Sequence, residues 1–275
     1  DREYVAHLVT EIQNIFAEPV THAAKKYFIK GSIGIAFTEN DDQPSSDIIA
    51  NADLAMYTVK KSGKNGFAYY DAQMKSEFIR KKVIETSLTD ACLNSGFYAV
   101  FQPQVETAGG KIHCCEALVR MTNSDLSPAQ FIPVAEDSDI VIRIGRIMTH
   151  FVIAQIAKWR DDGIKPFPVS INYSNKQLRD RDYAAYLKGL LDLYDIPPEL
   201  VEIEITESVF IERGDTAMKL FRDFAEIGVS LTLDDFGTGY SSISYLTYIP
   251  VSKIKIDKSL IDIYLHDGKD SLIKN

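Results

Sequence analysis

The 275-residue chain is 45% hydrophobic and 25% charged, ordinary composition for one large folded domain or two smaller ones. Its formal net charge of −9 excludes a general DNA- or RNA-binding protein, which would show a basic stripe, yet admits a small phosphorylated ligand neutralised by a metal. Three cysteines, two of them adjacent, fit a reduced, cytoplasmic setting better than a disulfide framework.

The chain starts without Met at "DREYVAHLV", already in helical periodicity, so the reading expects a piece of a longer protein. No apolar run approaches membrane-spanning length and no signal-peptide core is visible, so no membrane contact is expected from this segment. An anchor upstream in the full-length protein stays open.

A helix over about 2–17 is followed by a strand "KYFIKGSIGIAF" (26–37), a polar loop, a helix "IIANADLAMYTVKKSG" and a short strand "NGFAYY". This is a small α/β unit with few strands. We assign it to residues 1–71, with a charged linker helix at 72–81 and a second region from 82 to 275.

The second region repeats short β-rich runs at 97–105, 111–120, 167–174, 200–208, 229–236 and 251–259. Helical patterns separate most of them, which implies βαβ units and a covered parallel sheet. Only "ETAGG" joins the first two runs, so they form a hairpin and one strand runs antiparallel.

Polar residues recur at the C-terminal ends of these runs. Glu116 interrupts "CCEALVR", Asn172 ends "VSINYS", Glu204 lies in "EIEITES", Asp234 and Asp235 end "LTLDDF", and Lys255 lies in "KIKID". In a (β/α)8 barrel such ends converge on one face, where the active site is built. Any one strand-end acid, taken alone, more often caps a helix or holds a loop; recurrence over five strands is what no such explanation provides. Adjacent carboxylates such as Asp234 and Asp235 also need a cation beside them. Oxygen-only ligands suit Mg²⁺ or Mn²⁺, and two ions roughly 3.5–4 Å apart, clamping an in-line attack on a phosphodiester, would use the whole set.

The motifs "CEALVR", "SPAQFIPVAEDS", "VSINYSNKQL", "EIEITES", "LTLDDFGTGYSS" and "IKID" resemble, in order, those of the EAL domain of bacterial cyclic di-GMP phosphodiesterases. The resemblance implies a modified TIM-like (β/α)8 barrel with one antiparallel strand. It also implies metal-dependent hydrolysis of cyclic di-GMP to linear pGpG. By motif it makes Glu116, Asn172, Glu204, Asp234 and Asp235 ligands of two Mg²⁺ or Mn²⁺ ions. Lys255 becomes the lysine that holds and polarises the attacking water, and Glu207 the acid that organises the loop after the Asp-Asp strand. Gln102, in "FQP", and Arg120 fall on substrate-contacting positions. The alternative is a catalytically inactive receptor for the same dinucleotide, and a homodimer through this domain follows by analogy.

"SIGIAF" and "ADLAMYTVKKSGKNGFAYYD" resemble the C-terminal half of a GGDEF (diguanylate cyclase) domain. That resemblance implies GTP as a ligand, with Lys60 on a phosphate-contacting position and Lys64 where an arginine is usual. Read by themselves, both are solvated lysines of an amphipathic segment. The naming GGDEF signature is expected upstream of residue 1. The last two barrel strands, with one further metal-binding glutamate, are expected beyond residue 275, so the barrel reads as truncated.

Overall fold

A computed structural model describes residues 2–38, 40, 42–209, 214–237 and 249–267. The chain divides into two compact units, Asp1–Val83 and Ile84–Asn275.

In the first unit, helix α1 (Arg2–Ala17) precedes strands β1 (Val20–His22), β2 (Lys25–Tyr27) and β3 (Ser32–Ile35), helix α2 (Ser45–Lys61) and strand β4 (Gly66–Tyr69). The single strand expected over 26–37 is in fact two. β2 pairs antiparallel with β1, while β3 pairs in parallel with β4 across the α2 crossover. Ala23 and Ala24, at φ 48° and 59°, make the two-residue turn of the β1–β2 hairpin, left-handed conformations normally given to Asn-Gly. Gly34 lets α2 lie on β3: a Cβ there would stand 1.9 Å from the Ala52 carbonyl oxygen. The apolar positions buried among the described residues of this unit are Val9, Ile35, Ala55 and Val59. Tyr4, Ile15, Phe28, Ile49 and Ile79 are more than half exposed.

Helix α3 (Ala72–Leu93) runs across the division between the units. The second unit then continues with β5 (Phe97–Val105), β6 (Ile112–Met121), α4 (Pro128–Asp137), α5 (Ile140–Asp161), β7 (Val169–Tyr173), α6 (Tyr183–Tyr194), β8 (Val201–Thr206), α7 (Gly214–Ile227), β9 (Ser230–Phe236), β10 (Val251–Ile256) and α8 (Lys258–Asp267). The six strands form one sheet in the order β10-β9-β8-β7-β6-β5. β5 and β6 are the antiparallel hairpin and every other pairing is parallel.

Alternation along β8 explains the layering. Val201, Ile203 and Ile205 face the helices in a core that also holds Tyr173, Tyr183, Leu187, Phe221 and Phe224. Glu202 and Glu204 take the opposite face and are nonetheless buried. Inside the core the Tyr173 and Tyr183 rings stand 4.9 Å apart, with Phe224 edge-on to both.

Two expectations change. The helical pattern "NKQLRDRDYAAYLKGLLDLY", one of those separating the β-rich runs, begins as a 3₁₀ turn, Asn175–Arg179, and resumes at Tyr183, because Ser174 and Gln177 form a capping box that closes the first turn. Gln177 is 2% exposed and fits against α5 only because Gly145 has no side chain: a Cβ there would stand 2.0 Å from Gln177 Nε2. Second, α5 is, by length and composition, apolar enough to cross a membrane. Its apolar residues Val141, Ile144, Met148, Val152, Ile153 and Ile156 are buried in the unit, so packing accounts for them.

Candidate active site

β6, β8, β9 and β10 each deliver one charged side chain to a common point. Lys255 Nζ donates to Glu116 Oε2 at 2.9 Å, Glu204 Oε2 at 2.8 Å and Asp234 Oδ2 at 2.9 Å. Asn172, from β7, donates through Nδ2 to Glu116 Oε1 at 2.9 Å. Burial alone would lower the Lys255 pKa, but the hydrogen bonds it donates to Glu204, Asp234 and Glu116 outweigh it and raise the value. The ammonium therefore stays charged at neutral pH and offsets part of the repulsion among the three acids.

Glu204 is 1% exposed. Burial raises its pKa, Lys255 opposes the rise, and the Glu116 and Asp234 charges add to it. Its second oxygen, Oε1, is buried and meets no hydrogen-bond donor among the described residues. Asp235 sits beside the cluster at φ 54° and donates its backbone N–H to Asp234 Oδ1 at 2.9 Å. Its pKa is raised by desolvation and by the Asp234 and Asp257 charges.

Glu207 acts at a distance from this point. Its Oε1 accepts the Gly237 N–H at 2.8 Å, which ties the end of β8 to the turn after β9. Gly237 is at φ 101°, a conformation that suits glycine. Thr238 and Gly239 lie outside the described residues. Gln102 pairs in register with Glu116, so the two share a face of the hairpin.

A cavity of about 550 Å³ opens beside the carboxylates. Glu116, Asn172, Glu204 and Arg120 lie along it, and Ile132, Val141, Ile144 and Met148 supply an apolar wall. Glu136, Ser174 and Lys176 add polar groups, with Ser174 Oγ donating to Glu136 Oε1 at 2.5 Å. Ile132 and Glu136 lie within "SPAQFIPVAEDS", where the sequence alone does not single them out. The signal available was Ser127 followed by Pro128 and by Gln130, the capping box that fixes where α4 begins. Lys60 and Lys64 lie in the first unit, both exposed, Lys60 in the last turn of α2 and Lys64 at φ 65° in the turn after it.

The donor set suits a hard divalent cation. Glu116, Glu204 and Asp234 each offer an oxygen, and these atoms lie within 4.8 Å of one another. All ligand candidates are oxygens, the preference of Mg²⁺ and Mn²⁺, and Glu204 Oε1 is buried with no hydrogen-bond partner among the described residues.

The family model of the EAL domain matches residues 85–274. The chain belongs to the EAL domain family. Residues 1–66 match the diguanylate cyclase, GGDEF domain model, so a GGDEF segment precedes the EAL domain. Among curated proteins, the cyclic di-GMP phosphodiesterase PdeR of Escherichia coli is 34% identical over 247 residues, 88% of this chain and 37% of PdeR. The bifunctional diguanylate cyclase/cyclic di-GMP phosphodiesterase MucR of Pseudomonas aeruginosa is 28% identical over 271 residues, 98% of this chain and 40% of MucR. The chain thus spans well under half the length of these relatives. A solved structure titled as the PaMucR phosphodiesterase in complex with c-di-GMP superposes with a TM-score of 0.63 at 28% identity, covering 69% of this chain and 78% of that one. The EAL domain here has that TIM-like α/β architecture, entered through an antiparallel hairpin.

Proposed function

We propose that this EAL domain hydrolyses cyclic di-GMP to linear pGpG with two Mg²⁺ or Mn²⁺ ions. The observation that carries the reading is the convergence of Glu116, Glu204 and Asp234, from three strands, around one partly buried ammonium at the edge of a cavity. Glu116, Asn172, Glu204, Asp234 and Asp235 would hold the ions. Bound there, the ions would lower the pKa of water and neutralise the diester.

The residues of the chain supply the rest. Arg120 lies along the same cavity wall as Glu116 and suits a phosphate oxygen, and Gln102 approaches from the hairpin partner of Glu116. The apolar wall of Ile132, Val141, Ile144 and Met148 takes the face of a purine, while Glu136 offers an acceptor for ring N–H groups. Lys255, held charged by its three acids, cannot take a proton at neutral pH, so it orients the water and stabilises developing negative charge. The water oxygen forms a bond to phosphorus as the bond from phosphorus to the 3′-oxygen breaks, and the proton ends on that oxygen. Glu207 keeps the turn after β9 in place through Gly237. The GGDEF segment serves as a regulatory partner, with Lys60 and Lys64 as candidate contacts to a GTP phosphate.

The test is turnover of cyclic di-GMP to pGpG with Mg²⁺ or Mn²⁺, followed by chromatography. Hydrolysis that ceases with chelator and in Glu116→Ala supports the reading. Tight binding without turnover in the wild type would replace it with a receptor role.

A further inference from the structure

A second polar level lies directly beneath the carboxylates. Two residues before Glu116, Asn172, Glu204 and Lys255 on their strands stand Cys114, Ser170, Glu202 and Lys253, on the same face by strand alternation. They form a continuous belt. Gln104 Oε1 accepts from Cys114 Sγ at 2.8 Å, and Lys253 Nζ donates to Cys114 Sγ at 3.4 Å and to Glu202 Oε2 at 2.7 Å. Ser170 Oγ donates to the same Glu202 oxygen at 3.1 Å. Neither Lys253 nor Glu202 borders the cavity.

The belt crosses the sheet instead of following it. β7, β8 and β9 lie between β6 and β10, yet Cys114 on β6 meets Lys253 on β10. That contact requires the sheet to curl, and the same curl brings Glu116 to Asp234 and Lys255. Backbone pairing does not fix this geometry alone, because the β10–β9 register shifts twice. At the upper level the cross-link runs through Lys255, whose partners are the very acids a divalent ion would occupy. At the lower level it uses groups that no ion at Glu116, Glu204 and Asp234 competes for.

We propose that Lys253 and Glu202 are positioning residues that keep the sheet curled so that Glu116, Glu204 and Asp234 stay converged when divalent ions replace Lys255 as their counter-charge. This rests on the metal reading above and assigns the belt no contact with substrate. A buried ion pair is by itself weak evidence for stability, since apolar replacements are often tolerated, which separates positioning from packing.

The experiment is Mn²⁺ binding to the full chain, followed by electron paramagnetic resonance of the free ion and by titration calorimetry. Lys253→Met and Glu202→Gln are expected to weaken binding about 10–100-fold, the range for groups that support ligands from behind. Lys253→Arg, which keeps the charge, is expected to recover part of the loss. Circular dichroism and melting temperature identify folded protein, and Glu202→Gln, nearly isosteric, covers the case in which Lys253→Met fails to fold. Folded variants that bind Mn²⁺ within about twofold of wild type overturn the positioning role. Loss of folded protein in both variants assigns the belt to stability and also overturns it. A wild-type chain that binds neither Mn²⁺ nor Mg²⁺ removes the metal reading itself, and the belt's role with it.

Discussion

The two units are built from the same βαβ grammar and differ in what they bury. In the first, α2 covers the β3–β4 pair, and the buried apolar side chains among its described residues are Val9, Ile35, Ala55 and Val59. In the second, helices cover one face of a six-stranded sheet, and a contiguous cluster runs from Ala117 on β6 to Ile249 before β10. Only a core of that size can hold Glu202 and Glu204 out of water on its other face, because burying charge draws on stability that packing must supply. A site made of converging acids therefore belongs to the second unit.

The contrast between the units is open to direct measurement. The largest expected effect is Phe224→Ala, which empties the centre of the Tyr173–Tyr183 cluster and is expected to cost about 3–5 kcal/mol. Val59→Ala in the first unit is expected to cost only about 1–2 kcal/mol. Denaturant unfolding of both variants checks the difference, and equal losses would erase it. Next, Asp234→Asn is expected to lower kcat for cyclic di-GMP about 10²–10³-fold, read in the pGpG assay, with unfolding of the first unit unchanged.

Gly34→Ala places a methyl against the Ala52 carbonyl and is expected to destabilise the first unit by about 1–3 kcal/mol. Hydrolysis by the second unit should persist, and loss of activity would mean that the GGDEF segment supports catalysis. The smallest effect concerns pH. The folded pKa of Lys255 lies above its unfolded value of 10.5, so its stabilisation is complete below that pH and lost as pH climbs past it. The melting temperature of the metal-free chain should fall in this alkaline window, and Lys255→Met should fall less steeply.

Much of the second unit was legible in the sequence, because its strands are apolar runs bounded by loops and its site residues break those runs at equivalent ends. Glu116, Asn172, Glu204, Asp234 and Lys255 stood out for that reason, and the structure brings them together. The lower belt was not legible: Glu202 in "VEIEIT" and Lys253 in "VSKIKI" look like the solvated half of an alternating strand, and only the curl of the sheet turns them inward. The cavity wall was hidden for a related reason, since Ile132, Val141 and Met148 read as ordinary helix core. In the first unit the β1–β2 hairpin gave no signal because Ala23 and Ala24 are not turn formers, and the strand through Gly31 looked continuous until its two halves chose different partners.

The fit of Gln177 against Gly145 reaches beyond this one molecule. A Cβ on the α5 glycine and an amide two elements later would compete for a single space, so the two positions constrain each other. A side chain at 145 is expected to go with a shorter residue at 177, so these two alignment columns of EAL sequences should covary. Gly145→Ala should lower the melting temperature, and adding Gln177→Ser should recover only part of the loss, because the shorter side chain relieves the overlap but gives up the bond that Gln177 Oε1 accepts from the Ser174 N–H.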